Sequence, residues 1–92
     1  MIQTQAQANA YWADKEVKKW VVEFTAGPHH WRRTARSLVS ARSTARAQAA
    51  GIQHQIVVMN NTWVRRASAT TVRLATAQDL GCVYVCEKGG AA

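Results

Sequence analysis

The sequence is poor in acidic residues, and where they are missing matters more than how few they are. Five of the 92 residues are Asp or Glu, against twelve Lys and Arg, which gives a formal net charge of +7. No carboxylate side chain lies between Phe24 and Gln78, a span that contains all eight arginines. A positive field of this kind attracts polyanions or acidic protein surfaces.

Cysteine is also scarce, and the two cysteines predict neither a disulfide nor a metal site. Cys82 and Cys86 lie in a Cys-Val-Tyr-Val-Cys segment that is typical of a β-strand. Four residues along a strand span about 13 Å, which is too far for an intrachain disulfide. No Cys-x-x-Cys or His-x-x-x-His pair accompanies them, so we expect no metal and no other cofactor.

Long hydrophobic runs are absent as well. No apolar run approaches the ~20 residues that a membrane-spanning helix needs. The first residues are rich in glutamine and carry no early cation, which is not the layout of a signal peptide. We therefore expect a cytoplasmic protein that does not act on membranes.

Sequence motifs of catalysis are missing. The chain has no glycine-rich phosphate loop, no nucleophile elbow and no His-Glu-x-x-His segment, and its carboxylates are scattered rather than paired. His29 and His30 are adjacent in a predicted turn, which is more typical of a solvent-facing pair than of a catalytic base. We expect neither an enzyme nor a small-molecule substrate.

What the sequence does have is enough apolar material for one small basic domain. Hydrophobic residues make up 48% of the chain, which suits a globular fold of this length. We interpret residues 1–92 as a single domain, with residues 1–16 forming either a mobile arm or a short helix. Residues 88–92 are expected to be a mobile tail.

The segment before Gly51 supports two interpretations. Residues 17–24 alternate between apolar and polar side chains and predict a half-buried strand, which a Gly-Pro turn follows. A helix could then begin at Pro28. Alternatively, residues 31–37 return as the second arm of a hairpin, and a helix over 38–50 ends with Gly51 as its cap. We favour the second interpretation because apolar residues recur at helical spacing from Leu38 onward.

The second half of the chain predicts further strands. Residues 52–59 and 62–67 read as a hairpin around an Asn-Asn turn, and residues 70–76 and 82–87 follow as two more strands. The expected fold is therefore α+β: an antiparallel sheet of four to six strands with one main α-helix packed on one face.

Arginine and tryptophan supply the candidate binding residues. These are Arg32, Arg33, Arg36, Arg42, Arg46, Arg65, Arg66, Arg73, Trp31 and Trp63. An indole beside guanidinium groups can stack on an unpaired base or anchor a protein interface. Two plainer interpretations stand beside this one, namely that the tryptophans fill the core and that the arginines form a solvated face. A strand over 62–67 would place Arg65 and Arg66 on opposite faces.

The middle of the chain also has a recognisable layout. A strand ends in Trp20-Val-Val-Glu-Phe24, a segment then runs from Ser37-Leu-Val-Ser to Gly51, and Ile56-Val-Val-Met59 is followed by an Asn-Asn hairpin to Trp63. In size and layout, residues 17–67 resemble the small phage anti-CRISPR proteins of the type I-F class. These are short α+β proteins, so the resemblance implies the same fold class as the sequence pattern.

The resemblance implies a non-enzymatic inhibitor of the RNA-guided CRISPR surveillance complex in the bacterial host cell. Such a protein binds subunits of the complex and sterically blocks pairing of the guide RNA with target DNA. Many proteins of that class are acidic and mimic DNA, and the charge of +7 departs from that pattern. A positive chain would instead contact the guide RNA or acidic subunit surface beside it, and we expect it to do so as a monomer.

Two alternatives predict other partners. The chain could be an independent phage or plasmid protein that binds RNA or single-stranded DNA, in which case naked oligonucleotides bind it in a salt-dependent manner. It could also be an assembly subunit of a larger particle, which would self-associate.

Overall fold

The computed structural model describes residues 2–81. These residues form two α-helices, three strands and four shorter helical segments. In chain order these are α1 (Gln5–Trp12), β1 (Lys18–Ala26), a first 3₁₀ turn (His29–Trp31), β2 (Arg33–Ala41), α2 (Thr44–Gln53), a π-helix (His54–Val58), a second 3₁₀ turn (Thr62–Arg66) and β3 (Ala69–Leu74). A helical turn over 77–81 follows β3.

The sheet is antiparallel and has the order β2-β1-β3, so the strand predicted at 17–24 lies at its centre. The register pairs Val22 with Ser37 on β2 and with Val72 on β3. Residues alternate between the two faces of a strand, so Val22 and its neighbours two residues away share one face, while Val21 points to the other. Val21 and Val22 are both buried, as expected for a central strand.

One face of the sheet carries the main core. Trp20, Val22 and Phe24 of β1 pack there with Ala47 of α2 and Val64 of the second 3₁₀ turn. Helix α2 begins after Ser43, whose side-chain oxygen accepts a hydrogen bond from the Arg46 backbone N–H. The α+β class and the antiparallel sheet are confirmed, whereas the single main helix is not matched, because residues 2–81 form several short helices.

Helix α1 is fixed at both ends, so the first segment of the chain forms a short helix and not an arm. Thr4 and Gln7 form a reciprocal capping box at its start. Near its end, the Trp12 indole N–H donates to the carbonyl of Ala75 across 2.9 Å. This bond ties the helix to the residues that follow β3.

The predicted hairpin over 52–67 is wrong. Residues 52 and 53 complete α2, residues 54–58 form the π-helix, and the second arm is the 3₁₀ turn Thr62–Arg66. Ile52 and Ile56 pack against the core at helical spacing, so burial of one helical face outweighs the strand propensity of β-branched residues. The turn at Asn60 is present, with a positive φ of 59°.

The predicted number of strands is not matched: residues 2–81 form three. The strand predicted at 82–87 and the tail at 88–92 lie outside the described residues. The helix expected from Leu38 is also misplaced, because β2 extends to Ala41 and α2 begins only after its cap, Ser43. Residues 33–41 pair with β1 along their whole length, so strand pairing overrides the local helical spacing.

Candidate functional site

A groove at the hairpin end of the sheet brings together tryptophans and arginines that are distant in sequence. The hairpin end of β1, the first 3₁₀ turn and the start of β2 form one side, and the second 3₁₀ turn forms the other. Its volume is about 510 Å³. The groove is lined by Ala26, Gly27, Trp31, Arg33, Thr62, Trp63, Arg65 and Arg66. We call it the aromatic–arginine groove.

Trp31 is the exposed aromatic residue of the groove. It ends the first 3₁₀ turn, where its backbone N–H donates to the Pro28 carbonyl across 3.1 Å. The residue is 58% exposed, the highest value of any aromatic residue among the large exposed hydrophobics of residues 2–81. Gly27, with φ of 91°, lies against its ring. Trp31 is therefore not a core residue, which removes the plainer interpretation for this position.

Trp63 has the opposite character. It is half-buried and packs against the main core, so the core interpretation is correct for much of this side chain. The Arg33 guanidinium lies over its ring, with Cζ 5.8 Å from the ring centroid. At this distance the guanidinium gains a cation–π interaction with the ring.

Arg65 and Arg66 line the same groove because they lie on a 3₁₀ turn. The prediction that they occupy opposite faces of a strand is wrong. Both are exposed, and no described carboxylate lies within salt-bridge distance of either of them or of Arg33. Three guanidinium groups in the groove are thus available to an anionic ligand.

The remaining predicted residues lie outside the groove. Arg32 follows Trp31 and approaches His29 Nδ1 at 3.4 Å. Arg42 precedes α2 and forms an ion pair with Glu16. Arg46 lies in the first turn of α2 and is exposed. Arg36 lies on the face of the sheet opposite the main core, which we call the second face.

Arg73 also lies on the second face, and its charge is already balanced. Its guanidinium contacts Asp79 at 2.6 and 3.0 Å and Glu23 at 3.4 Å. Hydrogen bonding to Asp79 raises the pKa of Arg73. Burial alone raises the pKa of Asp79, but hydrogen bonds from Arg73 and Thr76 outweigh that effect and hold it at about 2. Arg73 is thus a structural residue.

A buried polar network that the sequence analysis missed holds the second 3₁₀ turn in place. Gln55 of the π-helix is 1% exposed and donates to Ser37 Oγ at 2.8 Å and to the Arg36 carbonyl at 3.2 Å. Its Oε1 accepts from Asn61 Nδ2 at 2.9 Å. Ser37 Oγ also lies 2.7 Å from His54 Nδ1. Asn61 immediately precedes the turn that carries Trp63, so the network orients one wall of the groove.

The described part of the chain has neither a candidate metal site nor a helix that could span a membrane. Residues 2–81 contain no group of three or more His, Cys, Asp or Glu side chains that could hold a metal ion. Both cysteines lie outside these residues. None of the described helices has the length and apolar character needed to cross a membrane.

Comparisons with protein-family models, with curated proteins and with solved structures gave no match to this chain. They do not identify it as an anti-CRISPR protein, and the resemblance stated above stays a prediction.

Proposed function

We propose that the protein is a non-enzymatic nucleic-acid-binding protein that holds RNA or single-stranded DNA in the aromatic–arginine groove. One observation carries the proposal: an exposed indole and three guanidinium groups line one groove, and no described carboxylate neutralises them. Single strands are bound by this combination, because aromatic rings stack on unpaired bases while arginines hold phosphates.

The distribution of charge supports the same conclusion. Arg42 and Arg73 are paired with carboxylates from other parts of the chain, whereas the groove arginines pair with no carboxylate of residues 2–81. A polyanion gains most where cations lack an internal partner, because no ion pair has to be broken on binding. Of the eight arginines, those in the groove are therefore the best placed for phosphate contacts.

The test is a titration of a labelled single strand of about twelve nucleotides at ~0.1 M salt. The variant Arg33→Ala/Arg65→Ala/Arg66→Ala is expected to bind at least about tenfold more weakly than wild type, because it loses up to three phosphate contacts. The measurement is fluorescence anisotropy with RNA and with single-stranded DNA.

A matched control separates the groove from bulk charge. The variant Arg36→Ala/Arg42→Ala/Arg46→Ala removes the same net charge from positions outside the groove and is expected to bind within about threefold of wild type, since distant charges are screened. Equal loss in both triple variants would contradict the groove as the binding site. Absence of binding by wild type would contradict nucleic-acid binding altogether.

A narrower proposal follows from the resemblance to anti-CRISPR proteins. In that case the groove contacts the guide RNA, or acidic subunit surface beside it, within the assembled surveillance complex. The same two triple variants test it, with the purified type I-F complex in place of the naked strand. Tight binding to the complex and weak binding to naked RNA would favour the inhibitor, whereas tight binding to naked RNA would favour the independent nucleic-acid-binding protein.

A further inference from the structure

The two tryptophans of the groove differ in what their rings can still contact. We infer that the groove takes one unpaired base at a time, stacked on Trp31, and that Trp63 serves to orient Arg33 rather than to stack a base. The inference rests on the proposed function and adds to it the class of ligand: a single-stranded segment recognised by one splayed base as well as by its phosphates.

The Trp31 ring has the support and the exposure needed to stack on a base. A Cβ added to Gly27 would lie 2.9 Å from Trp31 Cζ3 and 3.0 Å from Cε3, so the benzo edge of the indole rests directly on the glycine. Gly27 has a positive φ, which residues with a side chain rarely adopt, and its lack of a Cβ leaves room for the ring. The His30 ring lies 6.4 Å away and edge-on. With 58% of the residue exposed, the ring is held in place and remains accessible.

Trp63 cannot offer an equivalent surface. It contacts the main core, and Arg33 already lies over its ring. A base could stack there only by displacing Arg33, which would cost the cation–π interaction and move a phosphate-binding group. The consequence is one stacking position in the groove.

The dimensions of the groove agree with one nucleotide. A volume of about 510 Å³ lies within the range of about 300–1,000 Å³ that is usual for small-ligand sites. Arg33, Arg65 and Arg66 line the same volume as Trp31. Phosphates on either side of a stacked base would therefore have guanidinium groups within the groove.

The experiment compares two strands of equal charge, each of about eight nucleotides: oligodeoxyadenosine and an oligomer of the same length made only of abasic sites. Wild type is expected to prefer the strand with bases by about 5- to 100-fold, the range for stacking of a base on an aromatic side chain. An abasic strand with a single central adenine is expected to recover most of that preference. A requirement for two or more adenines would overturn the single stacking position.

Variants at the two tryptophans identify the platform. Trp31→Leu is expected to abolish the preference for bases while still binding both strands through phosphates, and Trp31→Phe is expected to keep most of it. Trp63→Phe is expected to keep the preference. Thermal unfolding of each variant controls for the fold. If Trp31→Leu kept the preference, or if wild type bound both strands equally, the inference would be overturned while nucleic-acid binding stood. Failure of wild type to bind either strand would instead refute the proposed function.

Discussion

At the scale of single residues, Gly51 shows how a glycine can be placed for contact rather than for a turn. The sequence pattern predicts it as the cap that ends a helix, but it lies inside α2 and is buried. The helix passes so close to the sheet that a Cβ at this position would lie 2.8 Å from Val22 Cβ. Glycine is therefore required by the approach of α2 to β1.

Gly51→Ala is expected to destabilise the protein by about 1–2 kcal/mol. Alanine favours a helix over glycine by up to about 1 kcal/mol, but the added methyl group would also lie 2.9 and 3.0 Å from the two γ-carbons of Val22. Val22 is fully buried in the central strand, and overpacking at such a site costs about 1–3 kcal/mol. Urea unfolding followed by tryptophan fluorescence measures the change.

Gly81→Ala is the matched control. A Cβ at Gly81 would meet no atom within 4 Å, so the same chemical change is expected to leave the free energy of unfolding within about 0.5 kcal/mol of wild type. Similar effects at the two glycines would mean that the contact with Val22 does not decide the result.

The candidate site shows which residue-scale features a sequence can reveal. Trp31, Trp63 and their neighbouring arginines could be selected because indole and guanidinium groups bind nucleic acids through their own chemistry. Their juxtaposition could not be predicted, because Trp31 and Trp63 are more than thirty positions apart. They line one groove only because the second 3₁₀ turn places Trp63 there. The ion pairs that remove Arg42 and Arg73 from the site also depend on tertiary contacts.

At the scale of elements, the π-helix joins the second 3₁₀ turn to the edge strand β2. Gln55 contacts Ser37 and the Arg36 backbone on β2, and its side-chain oxygen holds Asn61. The Asn61 backbone N–H also donates to the Gln55 carbonyl across 2.7 Å. One buried side chain therefore connects two elements that share no regular backbone pairing.

Gln55→Ala is expected to destabilise the protein by about 1–3 kcal/mol, because Ser37 and Asn61 would lose buried hydrogen-bond partners. The loss should be local first: relative to wild type, hydrogen exchange at the backbone amides of residues 62–66 is expected to accelerate more than at those of β1. Native-state hydrogen exchange measures this difference.

Gln53→Ala provides the control, since Gln53 is exposed and lies two residues before Gln55, at the end of α2. It is expected to change neither the exchange of residues 62–66 nor the stability by more than about 0.5 kcal/mol. Uniform acceleration across β1 and the second 3₁₀ turn in Gln55→Ala would show that the network supports the whole fold and not this element.

The elements that the sequence predicted correctly are those in which propensity and burial agree. The apolar alternation of residues 17–24 matches β1, and Val72 and Leu74 share a face of β3 as predicted. The strand predicted over residues 52–59 is wrong because Ile and Val favour strands locally, whereas the buried positions follow helical spacing. Gly51 and Gln55, one helical turn apart, are both buried. The side chains of Val57, Val58 and Met59 remain exposed, so local apolarity there did not indicate burial.

At the scale of the whole molecule, the spatial distribution of charge differs from its distribution along the sequence. The long acid-free span predicted a positive field over the middle of the chain. In the structure, Glu16 and Glu23 from before the span and Asp79 from after it pair with Arg42 and Arg73. Within residues 2–81, the arginines without such partners lie in the groove, in α2, on the second face of the sheet and, for Arg32, beside His29. Only the groove combines several of them with exposed indole surface.

The Arg73–Asp79 pair makes global stability depend on acid pH. The pKa of Asp79 is about 2 in the folded protein and 3.8 ordinarily, so its stabilising contribution is complete above about pH 4 and is lost as the pH falls to about 2. Asp79→Asn is expected to be less stable than wild type by about 1–2 kcal/mol at pH 7, and the difference should shrink over that acid range. Urea unfolding at a series of pH values measures it.

Asp14→Asn, at an exposed carboxyl with no ion pair among the described residues, should show no such change. Repulsion within a chain of net charge +7 grows in wild type and variant alike as the other carboxylates are protonated, so it cancels from the difference between the two proteins. A difference that stayed constant from pH 7 to pH 2 would therefore contradict the stabilising role of the Asp79 carboxylate.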